Sequence, residues 1–217
     1  MTPLFNRNLE LIYMVLVHPT YFSPIIQYVA IAKTAHINFE FEDNFQKQTF
    51  RNRCYVNTAN GKHLLNVPFQ HTKGVKQQTK DVQIDYKDDW NKLHLKTLKT
   101  AYNSSPYFEF YIDDLIPIFE KKHTFLLDLN IKCHDFVMDA LQLETPFSKT
   151  TEYFKSTEET DLRDLAKINP KLSFELDAYY QLFNEKQDFI QNLSILDLIF
   201  MEGPNALNYL ENQTIQF

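Results

Sequence analysis

Residues 11-LIYMVLVH-18 are apolar, β-branched or aromatic over the length of one strand, and Pro19 ends the run because proline has no N–H for a ladder. Glu10 interrupts the upstream 9-LELIYMVLV-17, only Arg7 precedes it as a cation, and no small-residue cleavage site follows, so a buried strand is expected rather than a leader. In 23-SPIIQYVAIAKTA-35 the apolar spacing becomes helical, with Ser23 in the N-cap position and Pro24 in the first turn. Alternation returns in 36-HINFEFE-42, which predicts a β–loop–α–β unit over 11–42 and a parallel strand pair. The stretch 50–69 reads as a hairpin turning at Asn60–Gly61, and 81-DVQID-85 as a further strand.

Beyond Trp90 the periodicity is helical over 88–103, 107–121 and 123–143, where Leu126, Leu129, Cys133, Phe136, Val137 and Ala140 share a face. A polar linker is expected over 145–160, short helices near 160–167 and 173–184, and a last helical stretch over 194–210 with a stop at Gly203–Pro204. The pattern gives an α/β fold: a mixed sheet from the N-terminal half covered by helices, with a mainly helical C-terminal third. The 217 residues suit one domain over 1–217.

Composition narrows the function classes. Apolar residues make up 44% and aromatics 15%, a globular balance, and no run reaches the roughly 18 uninterrupted apolar residues of a membrane helix. No membrane insertion is expected. The net charge of −6 is uneven: residues 1–138 carry 16 Lys/Arg against 14 Asp/Glu, and residues 139–217 carry 6 against 14. Neither part has the strongly basic face of a nucleic-acid binder. Cys54 and Cys133 are far apart, so free thiols in a reducing cytoplasm are expected. The seven histidines show no ligand spacing, so neither metal nor cofactor is expected.

The candidate chemistry centres on 43-DNFQKQTFRNRCYV-56, which gathers positive charge in an acidic chain. If 49–56 is a strand, period-two alternation puts Thr49, Arg51, Arg53 and Tyr55 on one face. Two guanidiniums two residues apart suit bidentate recognition of phosphate or carboxylate, with Lys47 as a further point charge. The bland alternative is a solvated face, or arginines paired with Asp43 and Glu42. The loop 18-HPTYFSP-24 joins a strand end to a helix start, where backbone N–H groups favour anions and His18 could act as acid–base. Cys54 with His18 or His94 could form a nucleophile–base pair, although a lone cysteine on a core-facing position is more often a small hydrophobe. The acids Glu158, Glu159, Asp161 and Asp164 read most simply as a helix start. The aromatics of 105-SPYFEFY-111 and Trp90 fit either a sugar-stacking wall or the core.

Together, 18-HPTYFSPIIQY-28, 43-DNFQKQTFRNRC-54, Asn60–Gly61 before 64-LLNVPF-69, Trp90 with His94, 101-AYNSSPYFEFY-111 and 192-NLSILDLIFMEGP-204 resemble the WbqC-like protein family over nearly the whole chain. The resemblance implies a cytoplasmic protein of bacterial surface-polysaccharide (O-antigen-type) biosynthesis, a transferase moving an acyl or glycyl group onto a sugar or sugar nucleotide. The alternative it leaves is a non-catalytic binding or scaffold protein working with polysaccharide-assembly proteins. On this reading Lys47, Arg51 and Arg53 hold a phosphate or carboxylate, Asn44 and Asn52 hydrogen-bond hydroxyls, and Tyr21 and Tyr107 line the pocket. Three departures from the family pattern stand out. His18–Pro19 replaces Gln-Pro and Cys54 replaces Asn, which weakens an indispensable role for either, and 151–176 has no glycine where longer members are Ser-Gly-rich.

Overall fold

The architecture comes from a computed structural model whose described residues are 12–71, 74, 76–168 and 174–214. The first apolar run is β1 (Ile12–Val17), followed by α1 (Ile25–Ala32) and β2 (Thr34–Phe39), and β1 and β2 pair in parallel with Val15 opposite Ile37 and Val17 opposite Phe39. The expected β–loop–α–β unit is therefore present, with β2 two residues earlier than the pattern placed it. Two short strands from the supposed polar linker complete this sheet: β5 (Phe147–Lys149) pairs with β2 and β6 (Thr160–Asp161) pairs with β1, both in parallel, giving the order β5-β2-β1-β6. The hairpin is a separate sheet of β3 (Arg53–Thr58) and β4 (Gly61–Asn66), with Gly61 at φ 96° closing the turn. Parallel and antiparallel pairs thus coexist in one α/β fold, in two sheets rather than one.

The helices α2 (Trp90–Tyr102), α3 (Phe108–Glu120) and α4 (Leu126–Leu141) follow the predicted spans closely, and the predicted face of α4 is buried except at Ala140, which is half-buried. At the C-terminal end, α5 (Ile195–Glu202) stops at Gly203 as expected, but a 3-10 turn over Gly203–Asn205 leads straight into α6 (Ala206–Asn212). Gly203 is required there: its φ is 51°, and a Cβ would sit 2.5 Å from the ring of Tyr107.

Three local expectations fail for identifiable reasons. Ser23 does not cap α1. Its hydroxyl bonds Thr20, and the helix start is closed by Asn192 Oδ1 and the carbonyl of Leu193, which accept from Ile26 N and Ile25 N, while Ile195 N donates back to Ser23 O. Residues 81–85 form only isolated bridges, Phe69 with Ile84 and Gln83 with Phe125. The stretch 160–167 is β6 followed by a 3-10 turn over Arg163–Ala166, and the described part of 173–184 holds no helix.

The core lies on one face of the parallel sheet. Val15, Val17, Ile37 and Phe39 are buried there, the His134 ring of α4 meets Phe39 and Phe147 in T-shaped contacts, and α1 and α5 pack beside them. Three polar knots are buried in this core. Asp197 of α5 accepts from Tyr102 OH at 2.6 Å and from Tyr179 OH, and burial lifts its carboxyl to about 6. His134 meets Tyr28 OH at 3.1 Å and His94 meets Tyr21 OH at 2.9 Å, and burial lowers both imidazoles to about 4. These pairs satisfy groups that would otherwise be expensive to bury.

Candidate functional site

β1, β2 and β6 run in parallel, so their carboxyl ends lie on one edge, and each delivers a polar residue there: His18 after β1, Glu40 after β2, and Asp161 within β6. β1 is also where the connections diverge, with β2 on one side of it and β6 on the other, and ligands of open α/β sheets bind in the crevice at such a point. A cavity of about 500 Å³ opens at this edge, lined by residues that include His18, Asp43, Asn44, Arg51, Arg163 and Lys167.

The segment 43–52 is threaded into this edge by backbone bonds. Phe50 N donates to Ala166 O at 2.8 Å, Phe50 O accepts from Tyr21 N at 2.9 Å, and Asn130 of α4 donates to the carbonyls of Arg51 at 2.8 Å and Pro19 at 3.1 Å. Anchored in this way, the Arg51 side chain is 1% exposed at the cavity wall. Its Nη2 donates to Asp43 Oδ2 and to His18 Nε2, each at 2.6 Å, and Thr79 Oγ1 donates to the other oxygen of Asp43. Burial first, then the charges of Arg51, Arg163 and Lys167, hold the His18 imidazole well below its usual range, with the Glu40 backbone partly opposing. His18 is therefore neutral near pH 7.

Arg163 forms the second wall. Its Nε and Nη2 grip Asp161 at 2.9 and 2.6 Å, while Nη1 donates to Glu40 Oε2 at 3.0 Å and to Phe154 O at 2.8 Å. The Tyr153 ring stacks on this guanidinium, 5.1 Å from it, and is 53% exposed at the rim. Lys167 pairs with Asp164 at 2.6 Å, whereas the exposed Lys155 has no ion-pair partner among the described residues. The wall is thus built of charges of both signs, with the exposed Lys155 and Lys167 among its cations.

The sequence-predicted residues separate in space. His18, Asn44 and Arg51 meet at the cavity. Lys47 is exposed and does not line it. Arg53 does not line the cavity: β3 begins at Arg53, so the assumed alternation never reaches back to Arg51. Its Nε donates instead to Asn66 Oδ1 at 3.1 Å. Asn52 ties the base of the hairpin, donating to Asn66 Oδ1 at 3.1 Å and Val67 O at 3.0 Å. Tyr21 is fully buried against His94, and Tyr107 packs under Gly203 at the start of α3. Cys54 faces the core and does not line the cavity, and burial pushes its thiol far up. Glu40, Asp161 and Arg163 were missed. The acidic run looked like a helix start, and a two-residue strand leaves no periodic trace.

Among known sequences, the model of the WbqC-like protein family matches residues 19–176. That span covers the cavity lining from Asp43 to Lys167, and His18 falls one residue before it. The chain belongs to the WbqC-like protein family. It is also similar to a protein of Mycobacterium tuberculosis (strain ATCC 25618 / H37Rv), the uncharacterized protein Rv1507c, 26% identical over 193 residues that cover 76% of this chain and 83% of that protein. No solved structure matches. Membership of the WbqC-like family places Arg51 and Arg163 inside the matched region, while α5 and α6 lie outside it. No helix among the described residues is long and apolar enough to cross a membrane, and no cluster of His, Cys, Asp or Glu among them could hold a metal ion.

Proposed function

We propose that this cavity binds the phosphate or carboxylate of a sugar-linked substrate, and that the protein is a group-transfer enzyme of surface-polysaccharide biosynthesis, moving an acyl or aminoacyl group to a sugar or sugar nucleotide. One observation carries the reading: a fully buried arginine at the diverging carboxyl edge of the sheet holds a neutral histidine and a carboxylate side by side. Lys155 and Lys167 supply charge for the anion, and the exposed Tyr153 ring offers a stacking surface for a base or sugar. His18 can accept a proton from an attacking hydroxyl or amine once Arg51 turns to the ligand and frees its Nε2.

A second reading, a non-catalytic binding or scaffold protein for glycan assembly, has its own support: Arg51 is neutralised by Asp43 and Arg163 by Asp161 and Glu40. A thermal-shift screen against sugar nucleotides, acyl donors, glycine and phosphates separates the two. Ligand at about 100 times its dissociation constant stabilises a fold by roughly 2.7 kcal/mol, a shift expected for the wild type and lost in Lys155→Ala/Lys167→Ala. No shift with any compound would favour the scaffold. Arg51→Ala is unsuited to this screen because it strands Asp43 in the interior.

A further inference from the structure

The parallel sheet has a second face, and its chemistry is unusual. Parallel strands are ordinarily covered by helices on both faces and apolar throughout. Here the residues alternating outward from the core include His36 and Asn38 of β2 and Ser148 of β5, and they are joined in a ladder: His36 Nε2 to Ser148 Oγ at 2.9 Å, Ser148 Oγ to Asn38 Oδ1 at 3.3 Å, and Asn38 Nδ2 to Glu159 at 3.0 Å. Instead of a helix, the segment around 150–160 lies over them, leaving a cleft of about 780 Å³, within the ~300–1,000 Å³ of small-molecule sites. Two exposed aromatics border it, Tyr13 at 81% and Phe154 at 50%.

The cleft contrasts with the cavity beside it. Its acids, Glu158 and Glu159, have no ion-pair partner among the described residues, and its one cation, Lys149, lies over the Phe41 ring at 4.9 Å. A phosphate is repelled there. Carboxylate, amide and hydroxyl groups in a row beside apolar ring faces instead complement a neutral polyhydroxylated ring, whose hydroxyls donate to carboxylate oxygens and whose C–H face lies on an aromatic. The two sites share one partition. In 153–155, Tyr153 and Lys155 line the cavity and Phe154 between them lines the cleft, and Arg163 holds the Phe154 carbonyl.

We propose that the cleft formed by Tyr13, Asn38, Ser148, Phe154 and Glu159 is a second binding site, for an uncharged saccharide. Placing the acceptor there and the anionic substrate across the partition rests on the group-transfer reading, but saccharide binding itself does not. The test is an amide NMR titration of the full chain with neutral disaccharides (lactose, maltose, cellobiose) and separately with inorganic pyrophosphate. At least one disaccharide is expected to shift resonances of Asn38, Ser148 and Glu159, with a dissociation constant raised about tenfold or more in both Tyr13→Ala and Glu159→Gln. Tyr13 is so exposed that its truncation leaves the fold intact, and unchanged pyrophosphate shifts in both variants would confirm it. Absence of any disaccharide shift, shifts elsewhere on the molecule, or affinity unchanged in both variants would overturn the proposal. Loss of pyrophosphate binding alone would count against the anion cavity and leave the saccharide site standing.

Discussion

The guanidinium of Arg51 donates to Nε2 of His18 across 2.6 Å. An arginine cannot accept, so that nitrogen carries no proton and the imidazole is the neutral tautomer protonated on Nδ1. The same Nη2 serves Asp43, so one buried side chain holds both groups at the cavity wall.

Removing Arg51 should therefore damage the fold before it damages binding. Arg51→Ala leaves Asp43 buried and unpaired, and destabilisation of about 3–5 kcal/mol is expected in urea unfolding. Adding Asp43→Ala should return part of that loss, and the double-mutant cycle measures the coupling. Strict additivity would mean that the pair is not coupled.

Acid should destabilise the protein from pH 6.5 downward. His94 and His134 titrate near 4 when folded and near 6.5 when unfolded. The unfolded chain thus binds more protons between these values, and stability falls as pH drops through that window, by on the order of 3 kcal/mol per histidine at most. Asp197 has the opposite sign: its folded value of about 6 exceeds the usual 3.8, so its contribution is present at low pH and is lost as pH rises through 6. Unfolding free energies from pH 4 to 7 should be flatter for His134→Gln and steeper for Asp197→Asn.

Gly203→Ala combines a left-handed backbone with a clash against the Tyr107 ring. A loss of about 2–4 kcal/mol is expected in thermal unfolding. Tyr107→Ala should relieve the clash and recover part of the loss, and if it recovers none, strain at φ alone is responsible.

Cys54 and Cys133 are both 1% exposed, and burial pushes both thiols upward. Native protein should resist iodoacetamide at pH 8 and react at both positions only after unfolding. Rapid labelling of Cys54 in the native state would revive it as a nucleophile.

The sequence revealed what is periodic. The run at 12–17, the α1 spacing, the Asn60–Gly61 turn and the long helices α2–α4 were legible because each repeats a pattern over several residues. β5 and β6, at three and two residues, are too short for alternation, so the linker hid half of the sheet. The site was half legible for the same reason. Arg51, His18 and Asn44 lie in or beside recognisable motifs, whereas Arg163, Asp161 and Glu40 come together only through the pairing of β6 with β1. The expected pairing of Arg51 and Arg53 on one strand face is absent, because β3 begins at Arg53, two residues after Arg51.

The central claim is that the edge cavity takes an anion. Calorimetric titration of a nucleoside diphosphate-sugar into the full chain at low salt, beside Lys155→Ala, tests it most directly, because Lys155 is exposed, has no ion-pair partner among the described residues, and its truncation leaves the fold untouched. Saturable binding weakened about tenfold in the variant, equivalent to about 1.4 kcal/mol, is the predicted result. Binding of equal strength in both proteins, or none in either, would contradict it.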